Sequence, residues 1–164
     1  MIDSIDRKIM AILQKNARIP NTEIAKQIGM APSGVLERLR KLENNGIIEG
    51  YTTRLNALAS DFGFLAYVFV RTDDMIGETK AAKLLAEIPE VLEVHHVAGE
   101  DCFLLKVRAN NTIHYSEVLR EKIGRVKSVR STRSTIVLET VKETTALPID
   151  EPSSPAKGKH TNER

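Results

Sequence analysis

Residues 21–46 read NTEIAKQIGMAPSGVLERLRKLENNG. Ile24, Ala25 and Ile28 fall at helical spacing, so a short helix is expected from about Thr22, with Asn21 as its N-cap and Gly29 as its stop. Pro32 opens a second helix, because a first helical position has no use for the N–H that proline lacks. Val35, Leu36, Leu39 and Leu42 form an apolar stripe along it, with Gly34, Glu37, Arg38, Lys41 and Asn45 on the opposite side and Gly46 at its end. Two helices joined by a tight turn at Gly29, the second basic and amphipathic, make a helix-turn-helix pattern.

On the N-terminal side, Ile5, Ile9, Ile12 and Leu13 predict a further helix over Ser4–Asn16, capped by Asp3 and favoured by Asp6 in its first turn. On the C-terminal side, residues 47–56 (IIEGYTTRLN) read as a small hairpin, or wing, turning at Gly50 and followed by a linker strand. If the apolar stripe clamps the 32–45 helix onto the other two, its opposite side is free to enter a major groove, which accommodates one α-helix. Arg38 and Lys41, one turn apart, would then reach base edges or phosphates, while Ser33 and the helix N-terminus would meet a phosphate. Arg40 and Arg54 would touch only the DNA backbone. The candidate DNA-facing set is Thr22, Pro32, Ser33, Gly34, Glu37, Arg38, Arg40, Lys41 and Arg54. Spacing alone leaves a second reading open, in which the charged face is merely solvated.

The rest of the chain differs in kind. Strands are expected near Phe64–Thr72, Val91–Ala98, Cys102–Ala109 and Val129–Val141, and helices near Glu78–Ile88 and Ile113–Ile123, punctuated by Pro89 and Gly99. This β-α-β-β-α-β order is that of a ferredoxin-like split βαβ unit, making the chain an α+β protein. Both helices of such a unit lie on one sheet face. Phe64–Val70 is apolar on both alternating sets, and Ile136–Leu138 shows no polar alternation, so the other face needs cover. A second copy of the same sheet would supply it, and a symmetric homodimer is expected, the alternative being that the N-terminal domain folds over that face. The expected domains are 1–62, 63–147 and a disordered tail, 148–164, rich in proline and poor in apolar side chains.

Composition narrows the function classes. With 164 residues, 41% hydrophobic, 4% aromatic and no tryptophan, the core must be aliphatic. Net charge is +2, distributed as nine basic against six acidic residues in 1–56, twelve against thirteen in 57–147 and three against three in 148–164. The basic excess therefore sits with the helix-turn-helix. A single cysteine, Cys102, forms no internal disulfide, and neither a signal peptide nor a membrane-spanning run is visible, so a cytoplasmic protein is expected. In a strand, His95 and His96 would point to opposite faces and could not easily share one ion, so no metal site or cofactor is expected.

The string IDRKIMAILQKNARIPNTEIAKQIGMAPSGVLERLRKLENNGIIEGY, carried by Asn16-Ala17-Arg18, Glu23-Ile24-Ala25, Gly29, Pro32-Ser33, Leu36-Glu37-Arg38 and Gly46-Ile47-Ile48, resembles the winged helix-turn-helix of the leucine-responsive regulator/AsnC family. PEVLEVHHVAGEDCFLLKVRA and VRSTRSTIVLETVKETTALPI resemble that family's effector domain, so the likeness spans residues 2–147. It implies a sequence-specific regulator of double-stranded DNA, assembled as dimers that associate further, often to octamers, and responsive to an amino acid. The effector would bind between dimers at Gly99, Glu100, Asp101 and Cys102, with Thr132 and Ser134 from a neighbour. Gly99 permits a tight bend with free N–H groups for a carboxylate, and Glu100 or Asp101 could pair with an ammonium group. The chain departs from the family at Ala31, where Ser or Thr usually caps the helix for about 1 kcal/mol, and at Cys102, where Asp is common. Siroheme decarboxylases resemble the same family and give the alternative, an enzyme using His95, His96, Arg108 and Arg133, though no nucleophile–base arrangement points to catalysis.

Overall fold

The computed structural model describes residues 2–75, 78–99 and 101–149. The described residues form two compact units, one of residues 2–53 together with 144–149, the other within Arg54–Glu143. The chain therefore crosses the unit boundary twice, at 53/54 and 143/144, where the sequence reading had placed boundaries at 62/63 and 147/148.

The first unit holds α1 (Ser4–Lys15), α2 (Asn21–Ile28) and α3 (Pro32–Asn44). Ile9, Ile24 and Val35 are fully buried at its centre, with Met10, Ala25, Leu39 and Leu42 around them. The Asp3 carboxylate accepts from the N–H groups of Ile5 and Asp6, and Asp6 accepts in return from the Asp3 N–H, a capping box with aspartate at its third position. Asn21 is not the cap of α2 but its first residue. Pro20 stands at the N-cap with no side-chain bond, and its carbonyl receives the Glu23 and Ile24 N–H groups. At Ala31 no side chain caps α3.

Both helices of the motif end on a glycine in the left-handed region, Gly29 at φ 71° and Gly46 at φ 65°. At the second, Gly46 N–H donates to Glu43 O and Ile47 N–H to Leu42 O, both at 2.9 Å. Ile48 N–H also turns to Leu42 O, so the donors of 47–48 serve the helix end. The hairpin expected over 47–56 is not formed, and those residues run on without strand pairing.

The second unit runs β1 (Phe64–Thr72), α4 (Lys80–Ala86), β2 (Val91–His96), β3 (Phe103–Ala109), α5 (Thr112–Glu117) and β4 (Val129–Ile136), with α5 continuing through π and 3₁₀ turns to Arg125. The sheet order is β2-β3-β1-β4, antiparallel throughout. Ala66, Val68, Val70, Leu105 and Val107 face the helices and pack against Ala81, Leu85, Tyr115, Val118 and Ile123. β4 stops five residues short of the expected Val141. Val137 N–H still reaches Leu65 O, but β1 offers no partner beyond, and Leu138 is 98% exposed.

The opposite sheet face, carrying Leu65, Tyr67 and Phe69 beside Leu104, Lys106 and Arg108, is partly closed by the unit itself. Lys106, only 8% exposed, pairs with Glu93 at 2.9 Å and with Glu143. Arg108 reaches Glu143 at 3.1 Å and the Phe62 carbonyl at 3.3 Å. No helix among the described residues is long and apolar enough to cross a membrane.

Candidate nucleic-acid interface and ligand turn

α3 is fixed by its buried residues, Val35, Leu39 and Leu42. Leu36, read as part of that stripe, is instead 39% exposed. At 3.6 residues per turn, Ser33, Glu37, Arg40, Lys41 and Asn44 lie within about 60° of the direction opposite the buried row. All five are exposed. Among the described residues Arg40 and Lys41 carry no ion-pair partner, which leaves two free cations on the outward face.

Arg38 does not belong to that face. It sits about 60° from Val35 on the helix wheel, turned toward the start of α1. Its Nη1 lies 2.6 Å from Asp3 Oδ2 and 2.7 Å from Asp6 Oδ1. These bonds, to Asp3 first and then Asp6, raise the guanidinium's pKa further. Asp3 is held below the usual carboxylate range by the Asp6 N–H and by Arg38. Where the sequence has Arg38 protruding from the outward side of α3, the structure turns its side chain to the cap of α1. Its position on the wheel carried this signal, and the same arithmetic puts Asn44, which the expected set lacks, in the outward row.

The other expected DNA-facing residues are scattered. Pro32 and Ser33 are exposed at the start of α3 and Thr22 at the start of α2. Gly34 is half-buried, where an added Cβ would stand 3.1 Å from the Met30 methyl. Arg54 lies in the second unit and donates from Nη2 to the Glu143 carbonyl at 3.2 Å.

The turn between β2 and β3 is set by Gly99 at φ 147°, a conformation side-chain-bearing residues rarely adopt. Glu100 lies outside the described residues. Cys102 is half-buried, its N–H donating to Val70 O at 3.0 Å and its Sγ 3.9 Å from Thr72 O. The Asp101 carboxylate receives Arg133 Nη2 at 2.9 Å, and the same guanidinium lies 4.0 Å above the centre of the Phe69 ring. The turn and β4 therefore meet, but through Arg133, on the sheet face away from the helices. Thr132 and Ser134 pair with Val70 and Val68 on the helix side, and Ser134 Oγ is 2.6 Å from the Tyr115 hydroxyl that donates to it. An ammonium group arriving at Asp101 would have to share it with Arg133, and a ligand reaching Ser134 would compete with Tyr115.

His95 turns to Glu93 at 3.2 Å, while His96 stacks near Phe103 with ring centroids 5.2 Å apart. Among the described residues no group of three His, Cys, Asp or Glu side chains could hold a metal ion.

Residues 2–49 match a family described as winged helix-turn-helix DNA-binding, and residues 65–147 match the Lrp/AsnC ligand binding domain. The leucine-responsive regulatory protein of Salmonella typhimurium is 37% identical over 152 residues, covering 90% of this chain and 92% of its own. Among solved structures, a transcriptional regulator from Neisseria meningitidis in complex with L-methionine superposes with a TM-score of 0.85 at 28% identity, over 92% of this chain and 98% of that one. The feast or famine regulatory protein of M. tuberculosis, complexed with L-methionine, gives 0.84 at 32% identity, over 92% and 100%.

Proposed function

The chain belongs to the Lrp/AsnC family of DNA-binding transcription regulators, and from that premise we propose that it reads its operator with the outward row of α3 and responds to an amino acid at the β2–β3 turn. The observation that carries the reading is the division of α3: Val35, Leu39 and Leu42 are buried while Arg40 and Lys41 stand exposed and unpaired among the described residues. Glu37 and Arg40 have the chemistry to meet base edges, and Lys41 and Ser33 to meet phosphates. The exposed Leu138 and Val141, together with half-buried Tyr67 and Phe69, favour assembly as a homodimer and then a higher oligomer. A two-fold assembly would present two α3 helices to half-sites about one helical turn apart.

For the effector, Arg133 and Asp101 offer a cation and an anion side by side, which matches the carboxylate and ammonium of a zwitterion. That two similar structures were solved with L-methionine supports an amino acid as the ligand class. The decarboxylase alternative gains no support from the side chains it would need. His95 and His96 occupy opposite faces, and Arg108 and Arg133 are engaged by Glu143 and Asp101.

The test is selection of a duplex from a random library with the full chain, followed by titration of the selected duplex with and without each amino acid. Enrichment of a two-fold symmetric sequence, with affinity shifted by at least one amino acid, is the expected result. Failure to enrich any sequence would overturn the operator reading, and enrichment without an amino-acid effect would overturn the effector reading alone.

A further inference from the structure

The last described residues return to the DNA-binding unit. The Gln14 side chain, near the end of α1, makes two bonds with the backbone of one residue: its Nε2 donates to Leu147 O at 3.1 Å, and its Oε1 accepts from Leu147 N–H at 2.6 Å. This two-point reading of a main chain is indifferent to the Leu147 side chain, which stays exposed. Two residues on, Ile149 packs against the apolar cluster of Ile9, Ile24 and Val35. The segment is folded locally as well. Thr144 Oγ1 accepts from Ala146 N–H at 3.1 Å, and Ile149 N–H closes a tight turn on Leu147 O at 2.8 Å.

We propose that the DNA-binding unit carries a docking slot for a short peptide and that its occupant is the chain's own segment Thr144–Ile149. Docking in cis follows from connectivity, since the segment begins one residue after Glu143. That residue is anchored in the sheet unit by Lys106 and Arg108 through its carboxylate and by Arg54 through its carbonyl. Residues 144–149 thus form a strap that leaves the last residue of the sheet unit and seats on α1. α1 also holds Arg38 of α3 through Asp3 and Asp6, so the seat of this segment and the recognition helix share one helix. The strap does not depend on which amino acid, if any, the chain binds.

Hydrogen exchange of the full chain tests this, comparing the parent with Ile149→Asp, Ile149→Ala and Gln14→Ala. Exchange of α1 amides should rise by about tenfold in Ile149→Asp and less in the two milder variants, with β1 and β3 within about twofold of the parent, because opening is local. If Ile149→Asp unfolds the whole unit, the milder pair still decides. Parent-like exchange in α1 for both would overturn the proposal. Protection of α1 that falls on roughly hundredfold dilution would assign the slot to a second copy's segment and overturn docking in cis.

Discussion

Nη1 of Arg38 in α3 lies 2.7 Å from Oδ1 of Asp6 in α1, and Asp6 as a residue is only 7% exposed. A carboxylate so covered needs its partners. Replacing Arg38 by Ala leaves Asp6 with the Asp3 N–H alone, a loss of about 1–2 kcal/mol by the usual cost of an under-satisfied buried acceptor. Arg38→Lys should recover part of it, since an ammonium group supplies the charge and donors that Nη1 now gives to both carboxylates, but on a shorter stem without the planar guanidinium. Chemical denaturation of the parent and both variants checks the order. Equal midpoints would deny the clamp.

The same placement separates stability from DNA affinity. Arg40→Ala should weaken binding to a selected duplex by about 1–3 kcal/mol if it reads a base, and Lys41→Ala should lower the salt slope by about one if it meets a phosphate. Arg38→Ala, measured where the variant is fully folded, should leave the salt slope unchanged. Fluorescence anisotropy at several salt concentrations gives all three. A salt slope that falls for Arg38→Ala would return that residue to the interface.

The architecture was legible because burial and pattern agree: the unbroken apolar run of β1 and the helical spacing of Ile5, Ile9 and Leu13 report the cores they face. What stayed hidden depended on partners distant in sequence. Leu36 reads as apolar and so as core, yet lies about 100° from Val35 on the helix wheel, where α1 and α2 leave it exposed. Arg38 looks like any surface cation until Asp3 and Asp6, more than thirty residues away, are folded against it. Ile149 is the one large apolar residue of a polar, proline-bearing stretch, and composition alone assigned it to a disordered tail although it packs on the N-terminal core. The expected disorder of 150–164 falls outside the described residues. At the ligand turn, sequence brought Asp101 to the strand holding Arg133 only as a contact with a neighbouring copy, whereas Arg133 pairs with Asp101 within the chain.

Acid and base should act on the sheet unit from opposite ends of the pH scale. Bonding to Lys106 holds both Glu93 and Glu143 below the ordinary glutamate range. Their contribution is therefore present above the unfolded value near pH 4.3 and is lost as pH falls through the depressed folded values. Burial pulls the Lys106 pKa down, but Glu143 and Glu93 outweigh it and the net shift is upward. That contribution is complete below about pH 10.4 and disappears as pH rises through the folded value. Between these limits the Lys106 network should contribute a constant amount to stability, and Glu143→Gln should flatten the acid limb. An acid limb identical to the parent's would show that Glu143 is not paired in solution.

Tyr51 should titrate late. Its hydroxyl donates to Glu43 Oε1 at 2.8 Å, and partial burial followed by that carboxylate pushes its pKa to about 12. The neutral phenol is the favoured form, so this stabilisation holds below the unfolded value near pH 10 and fades as pH rises through the folded one. Difference absorbance of the parent and Tyr51→Phe isolates this tyrosine from the other two. A Tyr51 transition near pH 10 would mean that the bond to Glu43 is not kept.

A zwitterion entering between Asp101 and Arg133 must break a pair that is already formed, so its affinity is the difference between two sets of charge-assisted bonds. Both of its charges are then required. With L-methionine as the probe, Asp101→Asn should lower affinity by about tenfold, or 1.4 kcal/mol, through the ammonium group. N-acetyl-L-methionine, which lacks that charge, should bind the parent and Asp101→Asn equally weakly. Arg133→Ala removes both the carboxylate's partner and the competitor for Asp101, so its loss should be smaller than that of Asp101→Asn. Isothermal titration of the three chains with the two ligands closes the cycle. An Asp101→Asn chain that binds L-methionine as tightly as the parent would place the ammonium elsewhere and remove this carboxylate from the site.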